Sequence, residues 1–221
     1  MKFKLLVFDW DGTLMDSEAR IVDCVKAAVK DLEMEPPTDD EIRNIIGLGL
    51  REAVDTLFPG ADDALHHNIV TGYRVHYLSE NKTPSQLFRG ARKVIQNLVE
   101  EEYLLAVATG KGRSGLNMVL ESTGLEAFFH ATRCADETFS KPHPEMLEQI
   151  LDELGVFPKE ALMIGDTEYD LQMATNAGVA SLGVTYGVHA PERLAKHNPL
   201  GCLNEVSAIP AWLKQHALRT E

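Results

Sequence analysis

The sequence predicts an α/β protein: a doubly wound parallel sheet, interrupted early by a block of helices. Three observations carry this reading. Short apolar runs without polar alternation, Leu5 to Phe8, Leu104 to Ala108 and Ala161 to Ile164, have the pattern of buried strands, and Val179 to Val184 reads as a further strand. Helical periodicity fills the intervals between the later runs, and such alternation argues for parallel strands joined by helical crossovers. Between about Met15 and Ser85, in contrast, four helical patterns follow one another with no strand among them. That stretch reads as an insertion after the first strand. The expected division is 1–14 with 86–221 for the sheet unit and 15–85 for the insertion.

Each element has its own signal. Apolar residues at helical spacing from Ser17 to Glu33 (Ala19, Val22, Val25, Ala28, Val29, Leu32) predict the first helix, with Ser17 as its N-cap. Pro36-Pro37 stops it, and Thr38 with Glu41 predicts a capping box for a brief second helix ending at Gly47-Leu48-Gly49. A third helix runs from Leu50 to about Phe58 and a fourth from about Asp62 to Leu78. A helix over about Gly90 to Glu101 leads into the strand at Leu104, and another over Ser114 to Ser122 precedes a weak strand near His130 to Cys134. Helices from Pro144 to Leu154 and up to Ala177, a short strand near Cys202 and a closing helix over about Val206 to His216 complete the pattern.

A chain of 221 residues buries a sizeable core. Its formal net charge of -13 argues against non-specific nucleic acid or anionic membrane binding, which require a basic surface. A small anionic substrate stays compatible, because a local site can be positive within a negative whole. Cys24, Cys134 and Cys202 are odd in number and widely spaced, with no metal-ligand pattern, so reduced thiols in a cytoplasmic setting are expected. Leu5 to Phe8 is far too short for a signal or membrane segment.

The first strand runs directly into Asp9-Trp10-Asp11-Gly12-Thr13. Gly12 tolerates positive φ, so the chain can turn sharply and both acids can face one small site. Like charges so close need a divalent cation or a shared proton. A loop in which Asp11 and Thr13 merely bond backbone amides is the plainer alternative. Thr109 closes a second strand, Asp166 a later one, and Lys141 stands before Pro142. Singly, these read as a helix cap, an N-cap and a solvated lysine. In a parallel sheet, however, they emerge at one edge, where open α/β sheets bind ligands.

Taken together and in order, these segments resemble the haloacid dehalogenase superfamily, in its phosphoglycolate-phosphatase-like branch with an α-helical cap. The resembling segments are Asp9-Trp10-Asp11-Gly12-Thr13, Thr109 in Val107-Ala108-Thr109-Gly110-Lys111, Lys141-Pro142-His143-Pro144, and Gly165-Asp166-Thr167-Glu168-Tyr169-Asp170. The resemblance implies a Rossmann-like core with residues 15–85 as the cap. It implies a Mg²⁺-dependent phosphatase acting on a small phosphorylated metabolite through an aspartyl-phosphate. Asp9 would be the nucleophile and Asp11 the general acid and base. Thr109, Gly110 and Lys141 would hold phosphoryl oxygens. Asp9, the main-chain carbonyl of Asp11, and Asp166 would ligate the metal, and Asp170, one helical turn on, would ligate or brace. The clustered acids suit a hard ion.

Within the cap, the loop Gly47-Leu48-Gly49 would dip towards the site, and Arg51 would meet a distal anionic group. The plainer reading of Arg51 is a surface pair with Asp55. His66-His67 reads as a solvated face without an acidic partner, His143 as a surface residue, and Trp10 as a ring packed near the cap hinge. Rival functions are a dehalogenase, disfavoured by Asp11, Asp166 and Asp170; a phosphomutase or pyrophosphatase with the same core residues; and a non-catalytic Mg²⁺-binding module. The substrate and the oligomeric state are not legible.

Overall fold

The computed structural model describes residues 3–218. Its centre is a parallel six-stranded sheet built from β1 (Leu5–Phe8), β4 (Leu104–Thr109), β5 (Ala131–Cys134), β6 (Ala161–Gly165), β7 (Ala180–Val184) and β8 (Cys202–Leu203). The spatial order is β5-β4-β1-β6-β7-β8. The sheet therefore grows one way from β1, then reverses and grows the other way from β6, as in doubly wound folds. Leu5 lies level with Leu104 on one side and Ala161 on the other, and Phe8 with Val107 and Ile164.

The runs of β1, β4 and β6 lack polar alternation because each of these strands feeds two cores. Leu6, Phe8, Leu105, Val107, Leu162 and Ile164 enter one of them. There they meet α5 (Ala91–Glu100), α6 (Arg113–Thr123) and α10 (Ile209–Leu218) through residues such as Ile95, Leu116 and Leu213. Leu5, Val7, Ala106, Ala108 and Met163 enter the other, against α7 (Glu145–Leu154) and α8 (Glu168–Asn176). The result is three layers, helix on sheet on helix, with every central strand buried.

Between β1 and α5 lie α1 (Glu18–Lys30), α2 (Asp39–Ile45), α3 (Leu50–Leu57) and α4 (Asp63–Val75), the last continued by a π turn, His76–Glu80. This helical block has a core of its own, including Ile21, Val25, Val29, Ile42, Ile45 and Tyr77. The capping box at Thr38 and Glu41 forms as the sequence predicts.

Three features depart from the sequence reading. The stretch read as strand-free contains β2 (Met15–Asp16), which pairs antiparallel with β3 (Gln86–Leu87). Two-residue strands leave no periodicity to detect, yet this ladder brackets the whole helical block. A short helix, α9 (Pro191–Ala195), also went unread. Ser17 occupies the N-cap position of α1, but its hydroxyl caps nothing. All three cysteines are free, Cys24 and Cys134 buried and Cys202 exposed. Among the described residues, no helix is long and apolar enough to cross a membrane.

Candidate active site

Asp9 and Asp166 leave β1 and β6, the two strands that flank the reversal of strand order, so both emerge at its carboxyl edge. Gly12, at φ +78°, turns the chain after Asp11. A Cβ on Gly12 or on Gly187 would stand 2.2 Å from Asp166 Oδ2, so only glycine lets these two loops close on that carboxylate. Thr13 Oγ1 donates to Asp166 Oδ1 at 2.8 Å, and the Val188 amide donates to its Oδ2 at 2.9 Å.

The predicted N-cap at Asp166 is displaced by one residue. Thr167 caps α8, in a reciprocal box with Asp170, whose Oδ2 accepts from both the amide and the hydroxyl of Thr167. That box holds Asp170 so that its Oδ1 accepts from Lys141 Nζ at 2.6 Å. Lys141 Nζ also lies 2.8 Å from Asp9 Oδ1, although without hydrogen-bond geometry. Lys141 is therefore not a solvated lysine but is fully buried between two acids.

Asp11 faces differently. Ser17 Oγ donates to its Oδ1 at 2.6 Å, and Lys111 Nζ lies 2.9 Å from its Oδ2. Lys111 also donates to the Tyr77 hydroxyl at 2.9 Å and sits over that ring, 4.3 Å from its centroid. Thr109 Oγ1 accepts from the Lys111 amide, which turns the chain after β4. The sequence reading assigned no role to Lys111. Its signal was its place two residues after a strand-end threonine; the partner Tyr77 lies 34 positions away and leaves no local trace.

Charge is unbalanced here. Four buried carboxylates, Asp9, Asp11, Asp166 and Asp170, face two buried ammoniums, Lys111 and Lys141. Burial pushes Asp9 up to about 7, helped by Asp170 and Asp11 and opposed by Lys141. Burial, then Asp9 and Asp170, likewise raise Asp166. Burial works against the Lys141 ammonium, but Asp170 and Asp9 outweigh it. Neither oxygen of Asp9 has a hydrogen-bond partner. Oxygens of Asp9, Asp166 and Asp170 lie within 4.8 Å of one another. Hard donors, a carboxylate whose Oδ2 has no partner and an excess of negative charge fit a divalent cation such as Mg²⁺.

The helical block closes over this edge. The Gly47 and Leu48 carbonyl oxygens press on Gly110, where a Cβ would meet them at 2.4 and 2.5 Å. Gly49 N–H donates to Ser140 Oγ at 2.7 Å. The Tyr169 hydroxyl donates to the Asn44 carbonyl, and Arg193 to the Asn44 side chain, each at 2.8 Å. Beneath lies a cavity of about 100 Å³ that runs from Asp9, Asp11, Thr109, Gly110 and Lys111 up to the inner faces of α1, α3 and α4.

Arg51 is not brought there. Its side chain is 70% exposed and lies 3.5 Å from Asp63, while Asp55, its expected partner, pairs with His66 at 2.9 Å. One turn of α3 turns Leu50, Ala53 and Val54 to the cavity and leaves Arg51 outside. His66 is accordingly buried against an acid rather than solvated. His143 is exposed, packed on Phe139, and Trp10 is fully buried with its Nε1 directed at Met15 Sδ.

A family profile described as haloacid dehalogenase-like hydrolase matches residues 6–184. The chain belongs to the haloacid dehalogenase-like hydrolases. Among family members, it is 34% identical over 209 residues to a protein named probable phosphatase IndB from Dickeya dadantii, covering 93% of this chain and 91% of that one. It is 27% identical to pyrophosphatase PpaX of Anoxybacillus flavithermus (95% and 96% covered) and 26% to a phosphoglycolate phosphatase of Colwellia psychrerythraea (96% and 97%). The fold matches a haloacid dehalogenase-like hydrolase of Streptococcus pneumoniae with a TM-score of 0.83 at 23% identity, over 96% of this chain and 99% of that one.

Proposed function

We propose that the chain is a Mg²⁺-dependent phosphatase of small phosphorylated metabolites that works through an aspartyl-phosphate on Asp9. The observation that carries this is the Asp9 carboxylate: buried, without hydrogen bonds, and next to Asp166, Asp170 and Lys141. The phosphatase and pyrophosphatase names of the relatives support the reaction class.

Asp9 attacks phosphorus, the bond from phosphorus to the leaving oxygen breaks, and Asp11 protonates that oxygen. Asp11 then takes a proton from water, which attacks phosphorus and releases phosphate from Asp9. Ser17 and Lys111 fix the position of the Asp11 carboxylate. Thr109, Gly110 and Lys141 bind phosphoryl oxygens, and Lys141 neutralises the charge that grows on them. Asp9 and Asp166 would hold Mg²⁺ with the Asp11 main-chain carbonyl, while Asp170, engaged by Thr167, holds Lys141 and completes the acidic set. A bound Mg²⁺ supplies charge neutralisation and polarises a phosphoryl oxygen. Residues 15–85 serve as the cap that shields the phosphoenzyme from bulk water.

The test is turnover of a panel of phosphate esters with and without Mg²⁺, together with phosphoenzyme trapping by acid quench and mass spectrometry. An adduct of one phosphoryl group on Asp9, lost in Asp9→Asn, is expected. Full turnover in excess chelator, or turnover without an adduct and unaffected by Asp9→Asn, overturns the proposal.

A further inference from the structure

The cavity above the acids bears on which ester is hydrolysed. From the phosphate end it continues into a wall of aliphatic side chains from three helices, including Ile45, Leu50, Val54, Leu57 and Ile69. Tyr73 and Tyr77 stack there with centroids 5.7 Å apart. Two basic residues line the cavity. Lys111 is spent on Asp11 and Tyr77, and Arg74 has an exposed side chain. Arg51 lies outside. A second phosphate or a carboxylate seated against this wall would give up its hydration, and the buried Lys111 is already paired with Asp11, so the lost hydration goes largely uncompensated. Asp9, Asp11 and Asp136 along the same lining would repel it further.

From this we infer that the ester's leaving group is compact and apolar, a branched aliphatic or single aromatic ring, rather than the second anionic group of 2-phosphoglycolate or pyrophosphate. The cavity is small, about 100 Å³, which keeps the leaving group compact. The inference rests on the phosphatase reading for the placement of the phosphoryl group at Asp9. An apolar pocket discriminates by fit, so the preference should be about tenfold or more, in line with one or two methylene groups.

Two measurements separate the possibilities. Binding of non-hydrolysable benzylphosphonate and of phosphonoacetate to the Mg²⁺-loaded protein, by calorimetry, reads the pocket whether or not turnover occurs. Benzylphosphonate should bind about tenfold more tightly. Leu57→Gln should narrow that ratio to about threefold or less, and Leu57→Met should keep it. Phosphonoacetate binding equally or more tightly, with that affinity lost in Arg74→Ala, overturns the inference and makes Arg74 the reader of a distal anion. Kinetics on phenyl phosphate, isopentyl phosphate, 2-phosphoglycolate and pyrophosphate form the second arm, and kcat/KM should favour the first two. A benzylphosphonate preference without turnover of any ester would overturn the phosphatase reading and leave the pocket assignment standing.

Discussion

Two surfaces face each other across the cavity, and they are stabilised in opposite ways. The sheet edge carries four carboxylates and two ammoniums out of water, all but Asp9 held by hydrogen bonds, with negative charge left over. The helical block opposite presents isoleucines, leucines, valines and a tyrosine pair, with Arg51 turned outward. Burying the first set costs free energy that a cation can recover, whereas burying the second is favourable by itself. The difference teaches where to look for each property. On the proposed function, reactivity lies at the edge, where negative charge is in excess, and selection at the helical face, where shape and polarity decide.

Perturbing the edge should have the largest effects. Asp9→Asn should lower kcat by about a thousandfold or more, as for other residues that act directly in bond making. The same change should leave the metal-free protein at least as stable, because it removes a carboxylate that burial and its acidic neighbours disfavour. A clear drop in Tm would show that the edge charges are already balanced. Lys141→Met should lower kcat by about a hundredfold or more. It should also destabilise by about 3–5 kcal/mol through stranding Asp9 and Asp170, which denaturant titration would read.

The charge excess also predicts a pH dependence. Asp9 is raised from the ordinary carboxylate range to about 7, so between those values the folded chain binds more protons than the unfolded one. Stability of the metal-free protein should therefore fall as pH rises from about 4 to about 7, at up to roughly 1.4 kcal/mol per pH unit for one such group. Adding Mg²⁺ should raise Tm more at pH 8 than at pH 5. An equal gain at both, or a stability that climbs across this range without metal, would remove the case for a cation site here.

Contacts that hold the two surfaces together come next. Asn44→Ala removes the acceptor for Arg193 and should cost about 0.5–1.5 kcal/mol, with KM affected more than kcat because the edge is untouched. An unchanged KM would mean that this contact does not hold the helical block over the site. Arg51→Ala should be the smallest: its side chain is exposed and its pair with Asp63 is on the surface, so Tm and kcat/KM should stay near wild type. A several-fold loss on an anionic ester would return Arg51 to the site.

Much of this was legible without coordinates. Strands whose side chains enter cores on both faces read as unbroken apolar runs, so β1, β4 and β6 announced themselves, and with them the edge where Asp9, Thr109 and Asp166 emerge. The capping box of α2 was equally plain, since its signal is local. Other facts needed the folded chain because they depend on pairs far apart in sequence. Ser17 looks like a cap until Asp11 is seen to take its hydroxyl, and Lys111 looks like any lysine until Tyr77 and Asp11 close on it. Arg51 and Leu50 are neighbours in the chain but lie on different sides of α3, and only the packing of α1, α3 and α4 decides which of them sees the cavity. The order of residues determined which groups stand at the strand ends. Tertiary packing decided which charges are shared, because sharing needs two groups within about 3 Å, and no local pattern encodes that distance.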